Sequence, residues 1–348
     1  DLGCVRSLSV QLSDLDFQYP EELVATERAA RSRVMFVDGG EPRELADLDD
    51  LVDRFQAGDV LVINDTRVLR RRVFSEAGLE ILFLNSSDAG ISWDVLCPST
   101  RWKNATTQKL PDGVELELIE RGRPQKIRAS RPLDEAYFEK AGDLPLPPYI
   151  QKARNERRNR DQDKLEYQTA WAKNAGSLAA PTASLHFSQK HLETLRARGV
   201  KVVQITLHVG LGTFLPITAE NLDEHVMHTE WIEIPAEAWK TVQETKASGG
   251  KIWALGTTVT RSLESASLNM LQKKPDGSLQ GESRLFIKPG FEYQVVDVLL
   301  TNFHQPRSTL LALVGAFAGL DCVKSCYEWA IERRFRLFSY GDLSVWIR

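Results

Sequence analysis

Residues suited to proton transfer and anion binding recur in this chain wherever an apolar run ends. In "ITLHVGLGTFLPI", residues 205–217, the run meets His208 and then Gly210, Gly212 and Thr213. "DVLVIN" leads into Asp65, Thr66 and Arg67, and "KIWALG" leads into Thr257, Thr258 and Arg261. "VVDVLL" leads into Asn302, His304, Arg307, Ser308 and Thr309. An imidazole titrates near neutrality and suits acid–base work. Glycine, lacking a Cβ, lets backbone approach a ligand closely. Ser308 or Thr309 stands as N-cap before an all-apolar helix, whose free N–H groups, together with Arg307, suit an anion. A single polar strand end is expected of any loop. Four such ends in one chain argue for one crevice, because α/β folds bind ligands at the carboxyl ends of their strands.

Other chemistries find less support. His225, His228 and Glu230 in "HVMHTE", with His208 and His304, could be gathered around zinc. The spacing matches no metalloprotease pattern and no cysteine pair supports a finger, so no metal is expected. Hydrogen-bonding or acid–base roles are the expectation for these histidines, with burial in a core as the plainer alternative for any one of them. There is no Gly-x-Ser-x-Gly and no Gly-Lys-[Ser/Thr] phosphate loop, so neither a Ser–His hydrolase nor ATP chemistry is expected. "GLGT" lacks the third glycine and following helix of a dinucleotide site. Basic residues cluster at Arg70, Arg71 and Arg72, and at Lys152, Arg154, Arg157, Arg158 and Arg160. Interleaved as the latter are with Glu156, Asp161 and Asp163, they read equally well as a solvated face or as a phosphate track beside a site that takes RNA.

The elements that must hold these residues fall into distinct stretches. From 68 to 143 short β-rich runs ("LEILFL", "SWDVLCP", "VELELIE") alternate with Gly, Pro and Asp turns, which predicts an inserted antiparallel β-barrel domain. Residues 1–67 and 144–348 form a large α/β domain with a mixed, barrel-like sheet. Its helices are expected over Ser188–Arg198, Thr260–Gln272 and Ser308–Ala318. The prolines of "LPLPPYI" make a rigid connector. With 348 residues, 42% hydrophobic and 26% charged, the composition is that of a globular protein. The net charge of −4 means that any nucleic acid is held by a local basic surface. Four sparse cysteines form no disulfide framework, and Cys322 and Cys326 would share a helix face in a core. The opening residues lack the pattern of a secretory signal, and no apolar run is long enough to span a membrane, so a cytoplasmic location is expected.

Taken together, "GDVLVINDTRV", "LPLPPYI", "YQTAWA", "GSLAAPTASLHF", "TLHVGLGTF", "HVMHTE", "ALGTT", "LLTNFHQPRSTLLALVGAFAG" and "FRLFSYGD" resemble, in order and over nearly the whole chain, the S-adenosylmethionine:tRNA ribosyltransferase-isomerases of queuosine biosynthesis. The resemblance implies transfer of the ribosyl part of S-adenosylmethionine to the aminomethyl group of a deazaguanine at the tRNA wobble position. Rearrangement to an epoxy-cyclopentanediol follows, with loss of adenine and methionine. S-adenosylmethionine is then a cosubstrate, no cofactor is permanently bound, tRNA is the partner, and a monomer is the expected state. His208 or His304 would remove the acidic proton beside the sulfonium, and His228 would serve a later acid step. Arg307 with Ser308 and Thr309 would take a carboxylate or phosphate. Asp65 and Asn302 would take ribose hydroxyls or a base edge, with an Asp65–Arg67 ion pair as the alternative for the carboxylate. The cleft between barrel and α/β domain would receive the anticodon loop.

The sequence departs from the family pattern at Ser184 (usually glycine), Leu215 (arginine), Lys288 (an aromatic), Gln305 (leucine) and Arg70 (proline), and at Val259, Thr260 and Ser262. A non-catalytic RNA-binding protein and a histidine-based metal hydrolase are the rival readings. Neither accounts for the ordered set of strand-end motifs.

Overall fold

The structure is a computed structural model and describes residues 9–102, 106–210, 212 and 216–348. Thr213 and Leu215, and Cys4, lie outside the described residues. The chain divides into two compact units. One comprises residues up to Thr66 with Thr169–Asn174 and Pro181–Arg348; the other comprises Arg67–Gln168 and Ala175–Ala180.

The larger unit is built on a mixed sheet of ten strands. From one edge to the other they are Gln272–Lys273, Leu279–Ser283, Glu230–Ile234, Lys201–His208, Val60–Asn64, Ile252–Leu255, Val298–Asn302, Leu343–Ile347, Val34–Asp38 and Glu41–Leu45. Val60–Asn64, Ile252–Leu255 and Val298–Asn302 are buried at every position. That is why they read as unbroken apolar runs, as strands covered on both faces do. These three and Lys201–His208 are mutually parallel neighbours. All four apolar runs singled out by their polar endings therefore finish at one end of one sheet.

Side chains alternate across a strand, so the register assigns faces. Leu61, Ile63, Trp253, Leu255, Val298 and Leu300 share one core cluster with Leu48, Leu51 and Val52 of the helix Leu48–Val52 and with Leu192 and Leu195 of the helix Gln189–Ala197. We call this the first face. The second face receives the helix Thr257–Ser267, where Asn64 Nδ2 donates to Thr258 Oγ1 at 3.2 Å.

Helix ends follow their caps. Ser188 accepts from His191 N–H, and Ser308, not Thr309, caps Thr309–Ala318 by accepting from Leu311 N–H. The helix expected over Thr260–Gln272 begins and ends earlier. Gly256 adopts φ +101°, which turns the chain directly from strand into helix at Thr257. Asn269, at φ +56°, enters the left-handed region just past the helix end, and Gln272 joins the edge strand. Cys322 and Cys326 lie on the helix Leu320–Glu332, and Cys326 is buried as a small core residue.

The smaller unit holds a six-stranded antiparallel sheet in the order Arg72–Phe74, Glu80–Ser86, Ser92–Leu96, Gln125–Ala129, Val114–Glu120, Thr107–Leu110. It curls nearly shut into a barrel, with Glu76 N–H donating to Lys109 C=O at 2.8 Å beside the two edge strands. Val73, Ile81, Phe83, Val95, Leu116 and Ile127 fill it. Its strands lie within 68–143, but the compact unit runs on to Gln168. Arg72 and Asp143 exchange two backbone hydrogen bonds, and the Asn159 side chain brackets the backbone of Leu144. These contacts tie the segment after 143 to the barrel. Among the described residues, no single helix is long and apolar enough to cross a membrane.

Candidate active site

His208 ends its strand on the first face with Nδ1 2.8 Å from Thr66 Oγ1. Burial lowers its pKa, and the charges of Asp65 and Glu233 partly oppose that shift. The ring is neutral at pH 7. In the tautomer whose Nδ1–H donates to Thr66, the Nε2 lone pair is left to accept a proton, and Nε2 has no hydrogen-bond partner among the described residues. Asp65 does not pair with Arg67. Its carboxylate accepts from Thr206 Oγ1 at 2.6 Å and Asn174 Nδ2 at 3.1 Å, while Arg67 lies 3.5 Å from Glu139. Lone pairs on Asp65 remain for a ligand hydroxyl.

Asn302 also ends on the first face, but it is not free to bind ribose through its amide. Nδ2 donates to the carbonyls of Phe338 and Ser339, and Oδ1 meets His186 Nε2 at 2.8 Å. His186 Nδ1 in turn meets Ser32 Oγ at 2.5 Å. Burial, the largest influence, holds the His186 pKa down to about 4, so this ring is a neutral link between the strand end and the turn Thr182–His186. Sequence reasoning passed over His186. The only signal was its place in "PTASLHF", behind two hydroxyl residues with no visible partner.

His304 does not join His208. Its Nε2 lies 2.7 Å from Thr301 Oγ1, and its backbone N–H donates to Tyr327 Oη at 2.9 Å. Thr301 alternates with Asn302 and therefore belongs to the second face. Burial takes the His304 imidazole down to about 3, too weakly basic to compete for a carbon-bound proton.

The second face is occupied by structural bonds. Thr258 Oγ1 is taken by Asn64, and Thr257 is buried. Glu230 and Arg261 form an ion pair with both side chains under 10% exposed, and the other Glu230 oxygen accepts from Gly210 N–H at 3.2 Å. That carboxylate pins the chain leaving His208. Gly212 packs close to His228: a Cβ there would stand 3.2 Å from His228 Cβ. His228 itself is exposed. Glu264, wholly buried, accepts from the backbone N–H groups of Gln294, Val295 and Val296. Among the described residues, no group of three or more His, Cys, Asp or Glu side chains could hold a metal.

At the start of Thr309–Ala318, Ser308 Oγ also donates to Gln305 C=O at 2.7 Å. Arg307 is exposed, adopts φ +57°, and lies 3.8 Å from Asp16. The departures from the family pattern have local partners or none. Thr260 and Ser262 hydroxyls bond back to the carbonyls of Gly256 and Thr258, and Lys288 pairs with Asp223. Ser184 buries a hydroxyl that has no partner among the described residues.

The basic clusters need correction. Arg72 is 2% exposed, 3.6 Å from Glu80, and Arg71 lies inside the barrel over Phe138 and Trp93, paired with Glu135. Arg154 is sealed in a two-pronged pair with buried Asp163. None of the three can line a solvent-facing phosphate track. Arg70 is held by Glu139, Arg160 by Glu156, and Arg158 stacks over Phe74. Lys152 and Arg157 are exposed. Consecutive arginines suggested one surface. Burial and pairing with acidic side chains divided them.

Comparisons with known proteins bear on the family. Residues 12–346 match the family model described as queuosine biosynthesis protein. An S-adenosylmethionine:tRNA ribosyltransferase-isomerase of Halothermothrix orenii is 38% identical over 349 residues, covering 96% of this chain and 98% of that protein. One from a Ruegeria species is 39% identical, covering 97% of this chain and all of its own length. The crystal structure of the S-adenosylmethionine tRNA ribosyltransferase of Thermotoga maritima matches 96% of this chain and 99% of its own with a TM-score of 0.54 at 29% identity. The chain belongs to the S-adenosylmethionine:tRNA ribosyltransferase-isomerase family of queuosine biosynthesis.

Proposed function

We propose that this enzyme transfers the ribosyl moiety of S-adenosylmethionine to the aminomethyl-deazaguanine at the tRNA wobble position. The sugar is isomerised to the epoxy-cyclopentanediol of epoxyqueuosine, with release of adenine and methionine. The observation that carries the proposal is the His208–Thr66 pair, beside the Asp65–Thr206–Asn174 cluster, at the carboxyl end of four parallel strands.

The sulfonium makes the protons of the adjacent ribose carbon acidic. His208 Nε2 is the general base: its ring is neutral, and a bound cation disfavours its protonation further. Thr66 fixes the ring orientation. Asp65 takes a ribose hydroxyl with its remaining lone pairs. His228, exposed beside Gly212, serves a later acid step. Gly210 and Gly212 let the backbone approach the cosubstrate. Arg307, at the start of Thr309–Ala318, binds a carboxylate or phosphate. Exposed Lys152 and Arg157 contribute to tRNA affinity as phosphate contacts. The enzyme works in the cytoplasm as a monomer, with S-adenosylmethionine as cosubstrate.

The test is incubation with S-adenosylmethionine and tRNA carrying the aminomethyl-deazaguanine. Adenine, methionine and the mass-shifted nucleoside should appear together. Persistence of S-adenosylmethionine while tRNA binds would refute the reaction.

A further inference from the structure

We propose that the open sheet face carrying Trp231 is the platform on which the acceptor nucleobase stacks. The proposal rests on the reaction above and names a binding site for its second substrate. His208 lies opposite Trp231 in the antiparallel pairing, and Trp231 lies opposite Glu282 on the next strand. In the adjacent row Thr206 faces Glu233, and Glu233 faces Gln280. Directly opposed residues project from the same face with Cβ atoms about 5 Å apart. These six side chains therefore form a grid on the first face that begins at His208 and runs outward.

Two features set this grid apart. Of the eight tryptophans in the chain, Trp231 alone is exposed, at 39%. The helices that cover the first face elsewhere do not reach it, since no residue of Glu230–Ile234 or Leu279–Ser283 joins the core cluster of that face. On the buried side of the same strand Ile232 and Ile234 are wholly covered. Exposure of the indole is thus not a failure of strand packing. A broad aromatic ring beside a neutral imidazole is what a nucleobase stacks on.

The charges around the indole choose among bases. Glu233 and Glu282 are both exposed, and the grid holds no lysine or arginine. Carboxylates accept hydrogen bonds and repel ring nitrogens that also accept, as those of adenine do. A guanine-type edge instead offers adjacent N–H donors, and an aminomethyl substituent adds an ammonium group. Such a ring meets Trp231 through its face and the carboxylates through its donors. The platform lies next to His208, so the aminomethyl group comes near the carbon that His208 deprotonates.

The test uses the full chain with W231A, W231F and E282Q. We expect W231A to raise the KM for tRNA carrying the aminomethyl-deazaguanine about tenfold. The KM for S-adenosylmethionine should stay near wild type, W231F should recover most of the loss, and E282Q should raise the tRNA KM less. A rise in the S-adenosylmethionine KM alone would put adenine on Trp231 and overturn the proposal, as would no change in either KM. A binding arm compares tRNA carrying the modified base with tRNA carrying guanine at that position. Wild type should prefer the modified tRNA and W231A should lose that preference; no preference in wild type, or an equal one in W231A, overturns the platform. This arm needs no turnover, so failure of the reaction and failure of the platform remain distinguishable.

Discussion

Two parallel strands of one sheet lead into histidines with opposite fates. His208 is the last residue of its strand, half-buried, held by Thr66 through one nitrogen, with acidic side chains nearby. His304 lies two residues past its strand, turned back onto Thr301 and depressed to about 3. Both rings are neutral at pH 7, so charge does not separate them. Basicity does: burial depresses the His304 ring to about 3, whereas the lowering at His208 is partly opposed by the charges of Asp65 and Glu233. A histidine after a strand is therefore not chemistry by position alone.

The comparison breaks most visibly if His208 is removed. H208Q should lower turnover by roughly 10²- to 10⁴-fold, the usual range for a lost general base, with an unchanged melting profile. The mirror experiment is H304Q. It should cost about 1–3 kcal/mol of stability, read from urea midpoints, by disturbing buried bonds at Thr301, while the folded fraction keeps near-normal turnover. Removing the hydroxyl that orients His208 has a smaller consequence: T66V should lower kcat/KM about tenfold without shifting the KM for tRNA.

pH sharpens the same contrast. The pKa of His208 is lowered from its ordinary 6.5, so the rate should hold at neutral pH and decline as pH falls through that lowered value. Stability responds to the two more deeply held rings. His186 and His304 stay neutral in the folded chain down to about 4 and about 3, whereas their unfolded counterparts take up protons below 6.5. The unfolded state thus binds more protons in that window, and stability is present in full above 6.5 and lost as pH falls toward 4 and 3. H304Q should flatten this slope. The smallest effect lies at the turn that carries His186, where S184A removes an unpartnered buried hydroxyl and should raise stability by about 1 kcal/mol.

Much of this site was legible in the sequence because parallel strands buried on both faces cannot hide their endings. Asp65, His208 and Asn302 each interrupt an apolar run, and the parallel register brings them to one end. The β-rich texture of the barrel and the Ser308 cap were legible for similar local reasons. What could not be read was anything set by a partner far along the chain. Arg71 is buried and paired with Glu135, more than sixty residues on, so the arginine triplet does not form one charged surface. His304 lies beyond the strand, where period-two counting no longer assigns a face. His186 lies in an irregular turn, and its value depends on Ser32 and Asn302, more than a hundred residues away on either side. The early start of Thr257–Ser267 was obscured because its first turn is rich in Thr and Val, which favour strands.

The most direct measurement is adenine release from S-adenosylmethionine, with tRNA carrying the aminomethyl-deazaguanine, by H208Q and H304Q normalised to folded protein. We expect H208Q to release almost none while H304Q keeps pace with wild type. Release by H208Q at the wild-type rate, or its loss in folded H304Q, would contradict the assignment of His208 as the base.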